Sequence, residues 1–191
     1  MNKTVSRAVD IGRKFQQTGL TPELITSFQE LIYHYFQENG RSLPWRETND
    51  PYEILVSEVM LQQTPVERVV TQYGSFLKQF PSVSHLAQAS LRDILLAWQG
   101  LGYNRRAKSL QALAQRVVQD FYGRLPAHRK TLESLPGIGA ATAGAVLAFA
   151  YEEPVVFLET NIRRVFLHFF YPEAERVSDK ELMPLAFLTL D

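Results

Sequence analysis

The sequence predicts an all-α protein. Apolar residues recur every three to four positions along most of its 191 residues, which is the spacing of an amphipathic helix. No useful length shows the strict alternation of apolar and polar residues that marks a half-buried strand. Residues 155–158, Val-Val-Phe-Leu, are the one strand-like piece.

Capping and turn residues set the limits of the predicted helices. Residues 1–20 show weak helical spacing and are interpreted as an N-terminal extension. Thr21 before a proline favours a helix start, and Gly40 favours its end. Asp50 before a proline favours the start of the next helix. The remaining helices are predicted over residues 52–63, 66–80, 83–89, 91–97, 105–122, 129–135 and 140–150, and from residue 160 onward.

Composition limits the class of protein. An apolar fraction of 46% over this length is sufficient for one globular unit or for two small lobes. No run of eighteen apolar residues is present, so a transmembrane helix is excluded and no membrane partner is expected. The N-terminal segment lacks the apolar stretch of a signal peptide, so the expected location is the cytoplasm.

No cofactor is expected from the residue types present. The sequence contains no cysteine, which excludes disulfides and a thiolate-ligated iron–sulfur cluster. Metal-ligand spacing is absent among the histidines, which are His34, His85, His128 and His168.

Charge is segregated along the chain although the formal net charge is zero. Residues 92–150 contain eight basic and three acidic residues, whereas residues 151–191 contain four basic and eight acidic residues. A basic segment of this kind is typical of a surface that contacts a phosphate backbone. Solvated helix faces would give the same pattern, so charge alone leaves both interpretations open.

A Gly-x-Gly turn lies within the basic segment. The sequence from Leu135 to Gly139, Leu-Pro-Gly-Ile-Gly, connects a short helical stretch to a helix of small residues that starts at Ala140. Such a turn exposes backbone N–H groups, and the positive end of the following helix dipole lies behind them. These N–H groups can therefore bind a phosphate directly.

Two glutamates are candidate catalytic residues. Glu58 has apolar or small neighbours at every helical spacing, so burial is expected to raise its carboxyl pKa toward the neutral range that a general acid requires. A structural glutamate paired with a buried arginine would fit the same pattern. Glu159 precedes a predicted helix, where a carboxylate either takes part in chemistry or only stabilises the helix.

Four motifs in this order resemble one family. They are Leu43-Pro44-Trp45-Arg46, the stretch Ser57–Thr64 (SEVMLQQT), Gly100-Leu101-Gly102-Tyr103, and the stretch from residue 132 to residue 164 that contains LPGIG and FLETNIRR. Together they are similar to the helix-hairpin-helix (HhH-GPD) base-excision DNA glycosylases, and within that superfamily to the adenine glycosylases of the MutY type. The resemblance covers about residues 23–170.

The resemblance implies a fold in two parts. A six-helix barrel that contains the hairpin is expected over residues 51–155, and a second helical lobe is expected from residues 21–50 and 156–191. Members of the family continue beyond the position of Asp191, which leaves open whether the second lobe is complete. Many members also carry a four-cysteine iron–sulfur cluster, which this sequence cannot form.

The resemblance also assigns roles to the two glutamates. Glu58 matches the residue that protonates the departing adenine at N7 and positions water. Glu159 stands where the family usually has aspartate, and its charge would stabilise the positive charge that develops on the sugar as the glycosidic bond breaks. The additional methylene moves that charge by roughly 1 Å, and a displacement of this size can cost about a hundredfold in rate.

DNA contacts are implied at residues of the remaining motifs, which are Gln62, Gln63, Tyr103, Gly137, Gly139 and Ala140. Gln62 is expected to fill the gap left by an extruded base, and Tyr103 to insert beside the opposing base. An ordinary turn aromatic would also explain Tyr103. Such hairpins can hold a monovalent cation, here at the backbone carbonyls of Leu135, Gly137 and Ile138.

The predicted activity is that of a monofunctional DNA glycosylase. Ala141 stands where bifunctional relatives carry the lysine that forms a Schiff base and cleaves the strand. Relatives acting on mismatched thymine or uracil tend to have tyrosine there. The resemblance implies a monomer that acts on double-stranded DNA in a bacterial-type nucleoid and excises adenine mispaired with guanine or 8-oxoguanine. Excision of thymine or uracil, and binding of distorted DNA without catalysis, are the alternatives.

Overall fold

The structure is a computed structural model that describes residues 3–190, with side chains described from residue 10 onward. Within this range it is helical and contains no strand, which confirms the predicted fold class. Residues 155–158 belong to a connection without regular secondary structure, because no second extended segment pairs with them in the described chain.

Local capping explains where the helices begin. The Thr21 hydroxyl accepts a hydrogen bond from the Leu24 N–H, as expected of an N-cap. The Asp50 carboxylate accepts from the N–H groups of Tyr52 and Glu53. The helices are α1 (Lys3–Thr18), α2 (Pro22–Asn39), α3 (Pro51–Leu61), α4 (Val66–Gln79), α5 (Val83–Gln88), α6 (Leu91–Ala97), α7 (Arg105–Phe121), α8 (Arg129–Glu133), α9 (Ala140–Tyr151), α10 (Thr160–Phe170) and α11 (Asp179–Leu188), and a 3₁₀ turn spans Pro44–Arg46.

The chain divides into two compact units. The central unit comprises residues 42–155, and the described part of the terminal unit comprises residues 3–41 and 156–190. The first boundary therefore falls nine residues before the expected one at residue 50, because the 3₁₀ turn packs on the central unit through Trp45 and Tyr73, whose rings meet edge to face at 5.4 Å.

The segment interpreted as an extension is helical where it is described. Residues 1 and 2 lie outside the described residues, and α1 packs against α10 and α2 within the terminal unit. The approach to α10 is close, because a Cβ added at Gly12 would lie 3.0 Å from the Phe169 carbonyl oxygen.

Each unit has its own apolar core. In the central unit the Trp98 and Phe76 side chains are fully buried and pack edge to face at 5.6 Å. In the terminal unit Phe28 of α2 contacts Phe169 and Phe170 of α10 at ring distances of 5.4 and 5.0 Å. Burial of such side chains is the main favourable term in folding, at about 1.5–3 kcal/mol each. No helix within residues 3–190 has the length and apolar character needed to cross a membrane.

Candidate functional site

Glu58 lies in the C-terminal half of α3 and is half-buried. Its neighbours one helical turn away are buried, with Ile54 2% and Leu55 0% exposed. Backbone N–H groups in a helix interior are already bonded along the helix, so a carboxylate at this position is not needed as a cap. The partial burial predicted from the sequence is observed.

Glu159 is the N-cap of α10. One carboxylate oxygen accepts hydrogen bonds from the N–H groups of Asn161 at 2.9 Å and Ile162 at 2.8 Å. The other oxygen accepts from the Asn161 side-chain amide at 3.2 Å. Glu159 therefore stabilises the start of α10, which is the structural alternative considered for it. The same hydrogen bonds fix the orientation of its carboxylate. Glu58 and Glu159 belong to different units, and their convergence on one substrate stays a prediction.

The turn after α3 holds Gln62 and Gln63 in a defined shape. The Thr64 N–H donates to the Leu61 carbonyl at 3.3 Å. Gln62 has φ −58° and ψ 109°, and Gln63 has φ 56°, which are values of a type II β-turn. The third position of such a turn favours glycine, so the glutamine at 63 adds strain of about 1 kcal/mol. The Gln63 side chain is exposed, whereas Gln62 is half-buried.

Tyr103 lies in a second strained turn. Its φ is 47°, which is left-handed, and its side chain is 63% exposed. Strained backbone with an exposed aromatic ring is more typical of a contact surface than of a core position. By contrast, Trp98 is fully buried and Trp45 is partly buried, so both tryptophans belong to the core.

Arg106 connects these two turns, and it was not singled out from the sequence. One terminal nitrogen, Nη1, donates to the Gln62 carbonyl at 2.5 Å, and the other, Nη2, donates to the Thr64 hydroxyl at 2.9 Å. Its guanidinium also lies 5.5 Å from the centre of the Tyr103 ring. Burial lowers the pKa of Arg106, and Tyr103 partly offsets this effect. The only signal for Arg106 in the sequence is its position just after the Gly-x-Gly-Tyr turn. Its contact with Gln62 could not be predicted, because the two residues are far apart in the chain.

The hairpin turn uses its two glycines differently. Gly137 has φ 81°, and a Cβ there would lie 2.9 Å from Cβ of Ser109 in α7, so the fold requires glycine. Gly139 has φ −102° as the N-cap of α9, and a Cβ there would meet nothing within 4 Å. Gly137, Gly139 and Ala140 are all exposed. The hairpin therefore presents an accessible helix start with open space before it, as a phosphate contact requires.

A small cleft brings the α3 turn and the hairpin together. Its volume is about 150 Å³, and its lining includes Gln62, Arg105, Arg106 and Gly137. The Gln62 side-chain amide donates to the Thr142 hydroxyl of α9 at 3.4 Å. The exposed Arg105 and the exposed hairpin turn at one cleft are suited to a phosphate group. Assignment of these residues to DNA, and of a cation to the hairpin carbonyls, stays a prediction.

The described residues form no cluster of side chains that could bind a metal ion. Within residues 3–190 no group of three or more His, Asp or Glu side chains could hold a metal ion.

The fold and the hairpin define the class first. Helices α8 and α9 pack against each other and are joined by a glycine turn within an all-helical unit. This arrangement defines a helix-hairpin-helix protein. A family model described as "HhH-GPD superfamily base excision DNA repair protein" matches residues 56–186. The chain belongs to this superfamily, and the resemblance stated from its motifs is confirmed.

Curated relatives include adenine DNA glycosylases. The protein of that name from Mycobacterium tuberculosis (strain H37Rv) is 45% identical over 132 residues, which are 69% of this chain and 43% of the relative. That from Buchnera aphidicola subsp. Schizaphis graminum is 35% identical over 144 residues, which are 75% of this chain and 42% of the relative. The chain thus spans less than half the length of these relatives.

Solved structures share the fold. The structure of a thermostable thymine-DNA glycosylase aligns with a TM-score of 0.79 at 29% identity, covering 86% of this chain and 77% of that chain. A non-covalent endonuclease III–DNA complex aligns with a TM-score of 0.69 at 20% identity, covering 89% of this chain and 84% of that chain.

Proposed function

We propose that this protein is a monofunctional DNA glycosylase that removes adenine mispaired with guanine or 8-oxoguanine. The observation that carries the proposal is the identity of 35–45% to proteins named adenine DNA glycosylase, over 69% of this chain or more. The half-buried Glu58 and the accessible hairpin support it, because base excision requires a proton donor and a grip on the DNA backbone.

The reaction is hydrolysis of one bond. The bond between C1′ of the sugar and N9 of adenine breaks, its electron pair leaves with the base, and Glu58 supplies the proton at N7. Glu159 offsets the positive charge on the sugar. Water then adds hydroxide at C1′, and its proton returns to the Glu58 carboxylate.

Base release without strand cleavage is proposed because Ala141 offers no amine. Strand cleavage by bifunctional glycosylases needs a nucleophilic amine to form a Schiff base with C1′. Ala141 is in the first turn of α9, directly beyond the hairpin glycines.

The proposed partner is double-stranded DNA with a mismatched or damaged base, bound by the protein as a monomer. A bacterial-type cytoplasmic location at the nucleoid stays a prediction.

A second candidate is excision of thymine from a mismatch. It is favoured by the likeness to the thermostable thymine-DNA glycosylase, at a TM-score of 0.79. Alanine at position 141, where such relatives tend to have tyrosine, weighs against it. A third candidate is binding of distorted DNA without catalysis. It is favoured by the departure from aspartate at Glu159, whose carboxylate already caps α10.

Single-turnover assays with four duplexes test these candidates. The duplexes carry A:8-oxoG, A:G, T:G and U:G, and each product is analysed with and without alkali to separate base release from strand cleavage. We expect adenine release only, with strand breaks only after alkali. Release of thymine but not adenine would replace the proposed substrate. If base release from all four duplexes stays at the background rate while the protein still binds them, the third candidate, a DNA-binding protein without catalysis, would be supported.

A further inference from the structure

Two turns of the central unit meet at one side chain, and we propose that Arg106 is the positioning residue that holds both turns in register for opening DNA. This inference rests on the proposed function, which assigns Gln62 and Tyr103 to the distorted duplex. Arg106 is half-buried and acts through these neighbours rather than on the base itself.

The hydrogen bonds of Arg106 divide between the two turns. Its Nη1 donates to the last carbonyls of α3 and the following turn, those of Val59 and Met60 at 2.8 Å and of Gln62 at 2.5 Å. Its Nη2 reaches the second turn through the carbonyls of Leu101 at 2.9 Å and Gly102 at 3.2 Å. One planar group therefore fixes two segments that are about forty residues apart in sequence.

Thr64 completes the connection. Its hydroxyl accepts from Nη2 of Arg106 at 2.9 Å and donates to the Leu101 carbonyl at 3.2 Å. The hydroxyl is thus a second link between the turns, and its orientation depends on the arginine. Thr64 is buried, so this link is shielded from water.

Both turns carry a non-glycine residue in the left-handed conformation. Gln63 has φ 56° and Tyr103 has φ 47°. The other two such residues among the described ones, Tyr122 and Glu152, follow the ends of α7 and α9, where this conformation is common. Gln63 lies two residues beyond the end of α3, but the extended ψ of 109° at Gln62 places it in a type II turn rather than in a helix cap, and Tyr103 precedes α7. Such strain persists only where surrounding contacts impose it. Arg106 supplies these contacts on both sides.

The geometry requires arginine rather than any cation. A guanidinium presents donors on separate nitrogens in a rigid plane, whereas the three donors of lysine diverge from one atom. Nη1 bonds only to the end of α3 and its turn, whereas Nη2 reaches both turns, through the Thr64 hydroxyl and through the carbonyls of Leu101 and Gly102. The third nitrogen, Nε, is buried without a hydrogen-bond partner. Burying Nε without a partner costs free energy, and no hydrogen bond at Nε compensates for that cost. The hydrogen bonds of the two terminal nitrogens must therefore hold the side chain in place.

The first experiment separates positioning from charge. Arg106→Gln, Arg106→Lys and the control Lys108→Gln, which removes a charge from an exposed position of α7, are compared with wild type. Binding to undamaged duplex is measured by fluorescence anisotropy, and base opening by the fluorescence of 2-aminopurine placed opposite guanine. We expect both Arg106 variants to lose about tenfold or more in base opening and in single-turnover rate, because small misplacements have large effects. Affinity for undamaged duplex should fall no further than in Lys108→Gln.

Two results would overturn the proposal. Base opening restored by Arg106→Lys would show that charge is sufficient. Equal losses in Arg106→Gln and Lys108→Gln would show that the contacts with the turns do not matter for opening.

The second experiment does not depend on catalysis. Gln63→Gly is combined with Arg106→Lys, and thermal unfolding is measured for wild type, both single variants and the double variant. Glycine adopts the left-handed conformation without strain, so the fall in Tm caused by Arg106→Lys should be smaller in the Gln63→Gly background. Additive shifts would refute the proposal. If wild type releases no base but the shifts are non-additive, the proposed function fails while the positioning role stands.

Discussion

The two candidate catalytic glutamates, one in each unit, lie at different points of a helix. In the terminal unit, Glu159 begins α10, and Glu181 accepts from Ser178 in the capping box of α11. In the central unit, Glu58 lies inside α3, whose start is already capped by Asp50. A carboxylate at a helix start stabilises the helix, whereas a half-buried carboxylate in its interior loses hydration. The helix cap therefore accounts for Glu159 without chemistry, whereas Glu58, in the interior of α3, does not cap that helix.

The largest expected effect is at Glu58. Glu58→Gln keeps the side-chain volume and removes the proton donor, so the single-turnover rate of adenine release should fall by about 10²–10⁴-fold. Circular dichroism should show that the variant remains folded. A rate equal to that of wild type would remove the distinction between the two glutamates, because Glu58 would then have no chemical role.

Glu159 should affect both rate and stability. Glu159→Ala removes the N-cap of α10 and should reduce the free energy of unfolding by about 0.5–2 kcal/mol, measured by urea denaturation. Glu159→Asp keeps a cap and withdraws the charge by one methylene, so the rate should rise, by up to about a hundredfold if the family geometry is restored.

A matched control is available in the same unit. Ser178→Ala removes the N-cap of α11 and should cost similar stability without changing the rate of base release. If Glu159→Ala behaves as Ser178→Ala does in both measurements, Glu159 is a helix cap alone.

Substitutions at the hairpin should separate a role in helix stability from a role in DNA binding, measured as affinity for duplex DNA. Gly139→Asp places a good N-cap residue where open space precedes α9, so the protein should remain as stable as wild type. Its negative charge would lie beside the proposed phosphate, and affinity for duplex DNA should fall at least about tenfold.

The neutral variant Gly139→Asn serves as the control, because it caps equally well without the charge. Fluorescence anisotropy at two salt concentrations would give the affinity of each variant for duplex DNA. The difference in affinity between Gly139→Asp and Gly139→Asn should become smaller at the higher salt concentration. Equal affinities of the two variants would place the DNA backbone elsewhere.

The smallest expected effect concerns pH and the capping box. Hydrogen bonds from the Ser178 hydroxyl and N–H lower the pKa of Glu181 from its ordinary value of 4.5. A carboxyl group with a lowered pKa stabilises the folded state above its unfolded value, and this contribution is lost as pH falls through the folded value. Glu181→Gln should therefore lose less stability than wild type between about pH 5 and pH 3 in thermal unfolding. Identical pH profiles would show that the capping box contributes nothing.

Much of the fold could be predicted from local patterns. Thr21 and Asp50 were identified as caps because an N-cap bonds to amides two or three residues away, which sequence displays directly. The partial burial of Glu58 followed from apolar neighbours one turn away in the same helix. The central unit begins at residue 42 rather than at the expected residue 51, because Trp45 packs on Tyr73, a contact between residues that are not neighbours in the chain.

The candidate site was only partly accessible to the same reasoning. Gly137 and Gly139 look alike in the sequence, yet the first is required by the approach of Ser109 and the second is not required by any neighbour within 4 Å. Gln62 was assigned to DNA, but its hydrogen bond to Thr142 could not be foreseen, because it joins helices separated by eighty residues.

The sequence alone determined the order of the helices, the absence of cysteine ligands and the family motifs, since caps, periodicity and composition act within a few residues. Tertiary structure decided how these pieces meet in each unit: which glycine is indispensable, where the α3 turn contacts the hairpin, and that Arg106 joins two strained turns. Such contacts depend on helix packing, in which partners are brought together by burial of apolar faces rather than by their distance along the chain.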